Sequence, residues 1–444
     1  MRIKFLMLTA LILLGFTAAT AQEKKPLTLK EAVQLALTKS DEAKISLDKV
    51  NTAEGEVNVA KNNQYPNLSL NGQYQRLTTP NLSGPLFSSG SSDDNGDESS
   101  DSGSSTPDVN QVLFGQASAS LPLFAGFKLH NLVKASENQF QAAKLTSLND
   151  KEQIALQTIK DYVNLYKATK TVGLVKENLK SAQQRVKDFT AMEQNGLLAR
   201  NDLLKAQLQE SNTEVTLEEA KKNEAILSYK LATMLKLPEG TVIDATSTDF
   251  SVAPTLVKDT AVTRNDLEAL NYQYKAAESN IKVAESKLYP SVSLLGGYVA
   301  LDVKNALTVT NAMNFGVGVS YDLAGIFKSK SDVKVAKSKA QELQHTIDKV
   351  TDQIKVQIEN ANREYQLALK KFEVYTISQE QAVENYRIVK DKYDNGLVDT
   401  NDLLEADVQQ LQAKINLAYA QADISEKYYE LLTAKGTLTN TINK

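Results

Sequence analysis

Few side chains in this 444-residue sequence could carry covalent chemistry. Cysteine is absent, which closes thiol catalysis, disulfides and Cys-ligated zinc. His130 and His345 are the only two histidines. Both stand at helical positions among polar neighbours, and a multi-histidine metal site needs more than they supply. Asp93, Asn95 and Asp97 place oxygen ligands at calcium-loop spacing. The glycine is misplaced for an EF-hand, however, and no glutamate stands at the twelfth position. No nucleophile–base pair and no phosphate-cradling glycine loop is found. The sequence therefore reads as a protein that is not an enzyme and needs no cofactor or metal. With 50 basic and 54 acidic side chains, a net charge of -4 also argues against a nucleic acid partner.

The elements that would position any site come next. Arg2 and Lys4 precede an apolar run from Phe5 to Phe16, and Ala19-Thr20-Ala21 offers a cleavage site. Residues 1–21 are expected to be a signal peptide, so the chain is expected to be exported. No cysteine follows the cleavage site to take a lipid anchor. Polar residues interrupt every later apolar run, so no spanning helix is expected.

Proline maps the rest. Nine prolines stand at 26, 66, 80, 85, 107, 122, 238, 254 and 290. Proline costs about 3 kcal/mol inside a helix, so the two long proline-free stretches can hold long helices. They carry the right period. Leu156, Ile159, Val163 and Tyr166 form one apolar stripe, and Ile347, Val350, Ile354, Ile358, Ala361, Tyr365 and Leu369 form another. Long helices are predicted over 128–195 and 201–236, and again over 329–395 and 401–435. At 1.5 Å per residue the longer ones reach about 100 Å. An ordinary coiled coil of the periplasm without channel activity is the competing reading of these stretches.

The chain also repeats itself. Asn195-Gly196-Leu197 recurs as Asn395-Gly396-Leu397, and Asn201-Asp202-Leu203-Leu204 as Asn401-Asp402-Leu403-Leu404. Tyr65-Pro66 and its alternating sequel recur from Tyr289-Pro290. Matches in one order indicate a duplicated unit, 22–258 and 259–444. The first copy holds an insertion around 88–106, with nine Ser, three Gly, five acids and no Lys or Arg. Such a segment is expected to be a solvated, mobile loop.

Each copy places two alternating segments before its long helix: about 66–77 and 112–124, then 290–303 and 313–323. Period two means one apolar and one polar face. Their lengths suit tilted outer-membrane strands, which need about 9–11 residues. Four strands cannot close a membrane barrel, and lipid does not tolerate open edges. The barrel must be shared between copies. Eight strands from two copies would be nearly filled by side chains, whereas twelve from three would leave a lumen; three copies are preferred. The helices would turn back at each Asn-Gly and form a stalk, so the assembly would be a conduit.

These residues resemble the TolC-like outer membrane efflux protein family. The resemblance rests on Leu27-Thr28-Leu29-x-Glu31-Ala32-Val33-x-x-Ala36-Leu37, the two Tyr-Pro strand starts, Leu121-Pro122-Leu123-Phe124-x-Gly126 and the doubled Gly-Leu-x-x-x-Asn-Asp-Leu-Leu turns. It implies an α+β membrane protein. Its homotrimer would hold a 12-stranded barrel in outer membrane lipid, continued by a long α-helical periplasmic barrel, with a belt near 237–262 and the C-terminal tail. It implies an exit channel for tripartite efflux or type I secretion, docked on a periplasmic adaptor and an inner-membrane pump. Adaptor docking would fall on Asn195, Gly196, Leu197, Asn395, Gly396 and Leu397. A periplasmic gate would fall on Asp402, Glu405 and Asp202. Helix capping is the alternative role for Asp402 and Asp202, and suits Glu405 less well. Val398 stands where some relatives carry a locking arginine, and Arg200 is the candidate substitute.

Overall fold

The computed structural model describes residues 24–78, 110–247, 250, 262–304 and 307–442. The expected signal peptide and the Ser-rich insertion at 88–106 lie outside the described residues. In chain order the elements are β1 (Lys24–Pro26), α1 (Leu29–Lys39), α2 (Asp41–Asn62), β2 (Asn67–Arg76), β3 (Gln111–Ala125), α3 (Lys128–Gln194) and α4 (Arg200–Met234). They continue with β4 (Val242–Asp244), α5 (Asn265–Glu285), β5 (Ser291–Val303), β6 (Leu307–Ser320), α6 (Leu323–Asp394), α7 (Thr400–Lys435) and the short α8 (Leu438–Ile442). Helices α3 and α6 run for 67 and 72 residues. Contacts divide the chain into two units.

The first unit takes 1–51, 143–269 and 346–444. Its core gathers Leu27, Val33 and Ala36 with Ile159, Tyr162, Val163, Leu231, Leu235, Leu432 and Leu438, all nearly inaccessible. Thr28 opens α1 with a capping box. Its hydroxyl accepts from the Glu31 amide, while the Glu31 carboxylate accepts from the Thr28 amide. The apolar stripe of α3 is buried here through Ile159, Val163 and Tyr166, and that of α6 through Ile347, Ile354 and Tyr365. β1 and β4 pair in parallel. The Tyr162 hydroxyl ties them down, 2.6 Å from the Leu27 carbonyl and 3.1 Å from that of Ala245. The tail is held by Glu152, whose buried carboxylate accepts from the amides of Leu438 at 2.9 Å and Thr439 at 3.0 Å, and from the Thr439 hydroxyl.

The second unit takes 52–142 and 270–345 and holds a four-stranded antiparallel sheet in the order β2–β3–β5–β6. The registers sort its side chains. Leu68, Leu70, Ala117, Ala119, Leu294, Tyr298, Met313, Phe315, Val317 and Val319 share one face. Phe315 on that face is 95% exposed and Leu70 84%, far beyond what water alone would favour. On the other face Ser69, Ser118, Gly297 and Asn314 line up in one row across all four strands. Ser69 and Ser118 share a 2.6 Å hydrogen bond, and a Cβ on Gly297 would meet Asn314 Oδ1 at 2.6 Å. At the helix-proximal end, Phe127 packs edge-on against Phe124 and Tyr289. Pro122, which has no N–H to give, stands beside a register shift in β3.

Three boundaries differ from the sequence expectation. β6 begins at Leu307 rather than 313, because a bulge with Asn311 at φ 62 breaks the alternation while pairing continues through Leu301–Val309. The period becomes readable only after the bulge. β6 ends at Ser320, and α6 begins at Leu323 rather than 329. In the first half Gly126 and Phe127, at φ 62 and 64, separate strand from helix. In the second, the Gly325 amide bonds the Asp322 carbonyl at 3.0 Å and the helix starts at once.

Candidate gate at the helix tips

The two tips are built alike. Where α3 ends, the Gly196 amide bonds the Glu193 carbonyl at 2.9 Å and the Leu197 amide bonds Met192 at 2.8 Å. Where α6 ends, Gly396 bonds Tyr393 at 2.9 Å and Leu397 bonds Lys392 at 2.9 Å. This double closure is the Schellman arrangement, and it needs a left-handed residue. Both glycines supply it at φ +71. Asn195 and Asn395 add a side-chain bond each, to the carbonyls of Ala191 and Asp391 at 2.7 Å. Leu197 and Leu397 project outward, 73% and 74% exposed. Each tip is thus a rigid turn presenting one bare leucine.

The acids divide into two kinds. Asp402 and Glu405 lie one turn apart on α7 and both are exposed. Asp402 makes no ion pair among the described residues, and Glu405 accepts only from Gln409, at 3.0 Å. Capping does not explain Asp402. The cap of α7 is Asp399, which accepts from the amides of Asn401 at 2.7 Å and Asp402 at 3.1 Å. Asp202 is half-buried on α4, with Lys205 at 3.4 Å. It does not cap either, since Ala199 occupies that place without a side-chain bond. Asp202 shares no hydrogen bond or ion pair with Asp402 or Glu405. Its charge is felt at Tyr393, whose hydroxyl lies 3.4 Å from that of Thr400. Burial first, then the Asp202 and Asp394 charges, push the Tyr393 pKa up against the Thr400 bond.

Just above the tips the two hairpins share a small core of Phe189, Leu203, Ala206 and Leu403. Phe189 and Tyr393 stack with ring centres 5.6 Å apart. Beyond it lies a cluster that sequence reading missed. Asp407 of α7 takes Arg185 Nη1 of α3 at 3.0 Å on one oxygen, and Asn178 Nδ2 at 3.2 Å on the other. A second Arg185 nitrogen reaches the Tyr386 hydroxyl of α6 at 3.3 Å. The side chains of Arg185 and Asp407 are 8% and 4% exposed. Burial pulls the Arg185 pKa down, but Asp407 and then Tyr386 more than reverse it. The one available signal is positional: Arg185 lies as far before Gly196 as Asp407 lies after Gly396. Arg200, the candidate lock, meets Glu193 of its own hairpin at 3.5 Å and stays exposed, so it does not join the hairpins.

A sheet that is apolar on its exposed face, with neither edge paired among the described residues, and followed in the chain by helices of this length, is the arrangement an outer-membrane channel chain requires. Comparison with known proteins agrees. Residues 33–235 and 256–437 match the outer membrane efflux protein family, and the chain belongs to that family. It is 23% identical over 324 residues to the outer membrane efflux protein BepC of Brucella suis, an alignment covering 71% of this chain and 70% of BepC. It is 24% identical to nodulation protein T of Rhizobium leguminosarum bv. viciae, covering 66% and 61% of the two chains. Among solved structures, the CmeC outer membrane channel of Campylobacter jejuni superposes with a TM-score of 0.75 at 17% identity, over 92% of this chain and 86% of CmeC. The outer membrane protein VceC of Vibrio cholerae gives 0.72 at 17%, over 92% and 96%. The protein is located in the outer membrane and is an efflux channel component.

Proposed function

We propose that three copies of this chain, each a duplicated strand-strand-helix-helix unit, close a 12-stranded barrel. A periplasmic barrel of α-helices continues it, and together they form a passive exit duct. The observation that carries the reading is the sheet. Among the described residues β2 pairs only with β3, and β6 only with β5, so each chain offers two free edges. An apolar face this exposed suits lipid, and lipid forbids open edges. Joining β6 of one copy to β2 of the next removes every edge. The uncharged row of Ser69, Ser118 and Asn314 would then face the lumen.

At the far end, exposed Asp402 and Glu405 from three copies would form a ring of like charge, which hinders passage while the tips are close. Asp202, six residues past the first turn glycine, would add its charge to the gate from α4 without touching either acid. The turns Asn195-Gly196-Leu197 and Asn395-Gly396-Leu397 would receive a periplasmic adaptor through their bare leucines, and docking would open the gate toward an inner-membrane pump. The duct would serve tripartite efflux or type I secretion and perform no chemistry of its own. The test is single-channel recording of the reconstituted trimer. Asp402→Asn with Glu405→Gln should raise conductance or leak. Currents equal to those of the unaltered trimer would remove the gate from this reading.

A further inference from the structure

We propose that the first turns of α3 and α6 form a basic collar at the helix-proximal end of the sheet, and that the collar binds the phosphate headgroups of anionic phospholipids in the adjoining membrane leaflet. The inference rests on the barrel reading above, which puts the apolar face of the sheet in lipid. That face has a marked end. Past Val319 come Tyr321 and Leu323, both exposed, and then Phe327, 79% exposed in the first turns of α6. Aromatic rings of this kind sit where hydrocarbon gives way to headgroups. Lysines follow at once: Lys328, Lys330, Lys334 and Lys337 are all exposed. The duplicated unit carries the same pattern 200 residues earlier, where Phe127, Lys128, His130 and Lys134 match Phe327, Lys328, Lys330 and Lys334. Residues 127–136 hold no acid, and 323–341 hold only Asp332, which already pairs with Lys287 at 2.8 Å.

An ordinary solvated helix face balances its charges, and the rest of α6 does so. Lys355, Arg363, Lys370, Arg387 and Lys390 each pair with an acid three or four residues away. Among the described residues, Lys128, Lys134, Lys328, Lys330, Lys334 and Lys337 make no ion pair. Geometry brings them to headgroup depth. Both helices begin at the sheet, so their N-termini face the membrane. Side chains on a helix lean toward its N-terminus, here toward the headgroups. The headgroup layer is roughly 5–7 Å deep on each side of the hydrocarbon. By helical rise, Lys328 and Lys330 lie about 2 and 5 Å past Phe327, and Lys334 about 11 Å, a gap its flexible stem closes by reaching back. Ser329, Val333, Ala336 and Ala340, buried or half-buried, mark the packed side of α6. Phe327, Lys330 and Lys334, spaced by three and four, share the side away from it. A helix N-terminus itself favours anions, and neither first turn carries an acid to compete.

The chain has no tryptophan, so Phe327→Trp supplies a single fluorescent reporter at the collar. The full-length protein carrying it is reconstituted in vesicles of phosphatidylcholine and phosphatidylglycerol, with one lipid or the other brominated in its acyl chains. Quenching should show phosphatidylglycerol favoured about fivefold at the reporter, the factor expected of one basic group at an anionic surface. Salt at about 1 M, where charges are screened within about 3 Å, should erase the preference. Lys328→Gln with Lys330→Gln and Lys334→Gln should erase it as well, whereas arginine at the same three positions should keep it. Equal quenching by the two lipids at low salt would overturn the collar, and so would a preference that survives the glutamines. The barrel reading stands in both cases, since lipid still reaches the reporter. Quenching by neither lipid would overturn both. The salt series needs no lysine variant, so it decides the matter even if the glutamine chain fails to assemble.

Discussion

Glu152 offers a quantitative test of how the C-terminal segment is attached. The residue lies in α3, is 3% exposed, and accepts two backbone amides and one hydroxyl from Leu438 and Thr439. Glu152→Ala removes every one of these acceptors. Hydrogen bonds to a charged group contribute about 1.5–3 kcal/mol each, so the two amide bonds alone amount to roughly 3–6 kcal/mol. What remains to hold the tail is mainly the fully buried Leu438 side chain, worth roughly 2 kcal/mol. α8 has five residues and cannot sustain itself as a helix. The loss exceeds the remaining anchor, so the expected outcome is release of the tail rather than unfolding of the chain. Hydrogen exchange resolved to residues 436–442 is the assay. The tail amides should exchange at nearly open-chain rates in Glu152→Ala, while the amides around Tyr162 stay protected. Glu152→Gln, which keeps one acceptor oxygen, should fall between. Tail amides as slow in Glu152→Ala as in the unaltered protein would refute the reasoning, because the carboxylate would then not be what docks the tail.

Three further outcomes are expected. Tyr162→Phe keeps the buried ring but strips its hydroxyl from two carbonyls, and should cost about 1–3 kcal/mol in denaturant unfolding. Gly396→Ala pays only for its left-handed backbone, about 1–2 kcal/mol, since nothing lies within 4 Å of the added carbon. Gly436→Ala should cost distinctly more, because its Cβ would meet the Thr263 carbonyl oxygen at 2.1 Å; melting of the two variants side by side reads the difference. Burial would raise the pKa of Glu430, but Lys160 and Lys427 outweigh it and hold the carboxyl below its ordinary value. A lowered folded pKa means its contribution is present above the ordinary carboxylate value of about 4.3 and is lost as pH falls through the folded value. The melting difference between Glu430→Gln and the unaltered protein should therefore shrink between pH 7 and about pH 3.

The parts that could be read from sequence are those written in neighbouring residues. Absent prolines and stripes such as Ile159, Val163 and Tyr166 announce long helices, because a helix is a matter of local period and local steric cost. Asn-Gly-Leu announces the tip turns, because only glycine takes φ +71 cheaply. Alternation announces the Met313–Val319 face, but Leu307–Ala312 stays hidden behind the bulge at Asn311. The cap at Asp399 was likewise obscured by the more conspicuous Asn401-Asp402 beside it.

By itself the sequence determined that this chain is helical over two long stretches, amphipathic in its strands, free of cysteine chemistry and marked by twin tips. Only the tertiary structure decided which strands meet, with β3 beside β5, and which charges leave the surface. Arg185, Asp407 and Glu152 look in sequence like dozens of other charges on solvated helix faces. A charge becomes structural only when burial removes its water and a distant segment must supply the missing partner. That partner is set by packing across hundreds of residues, and no local spacing records it.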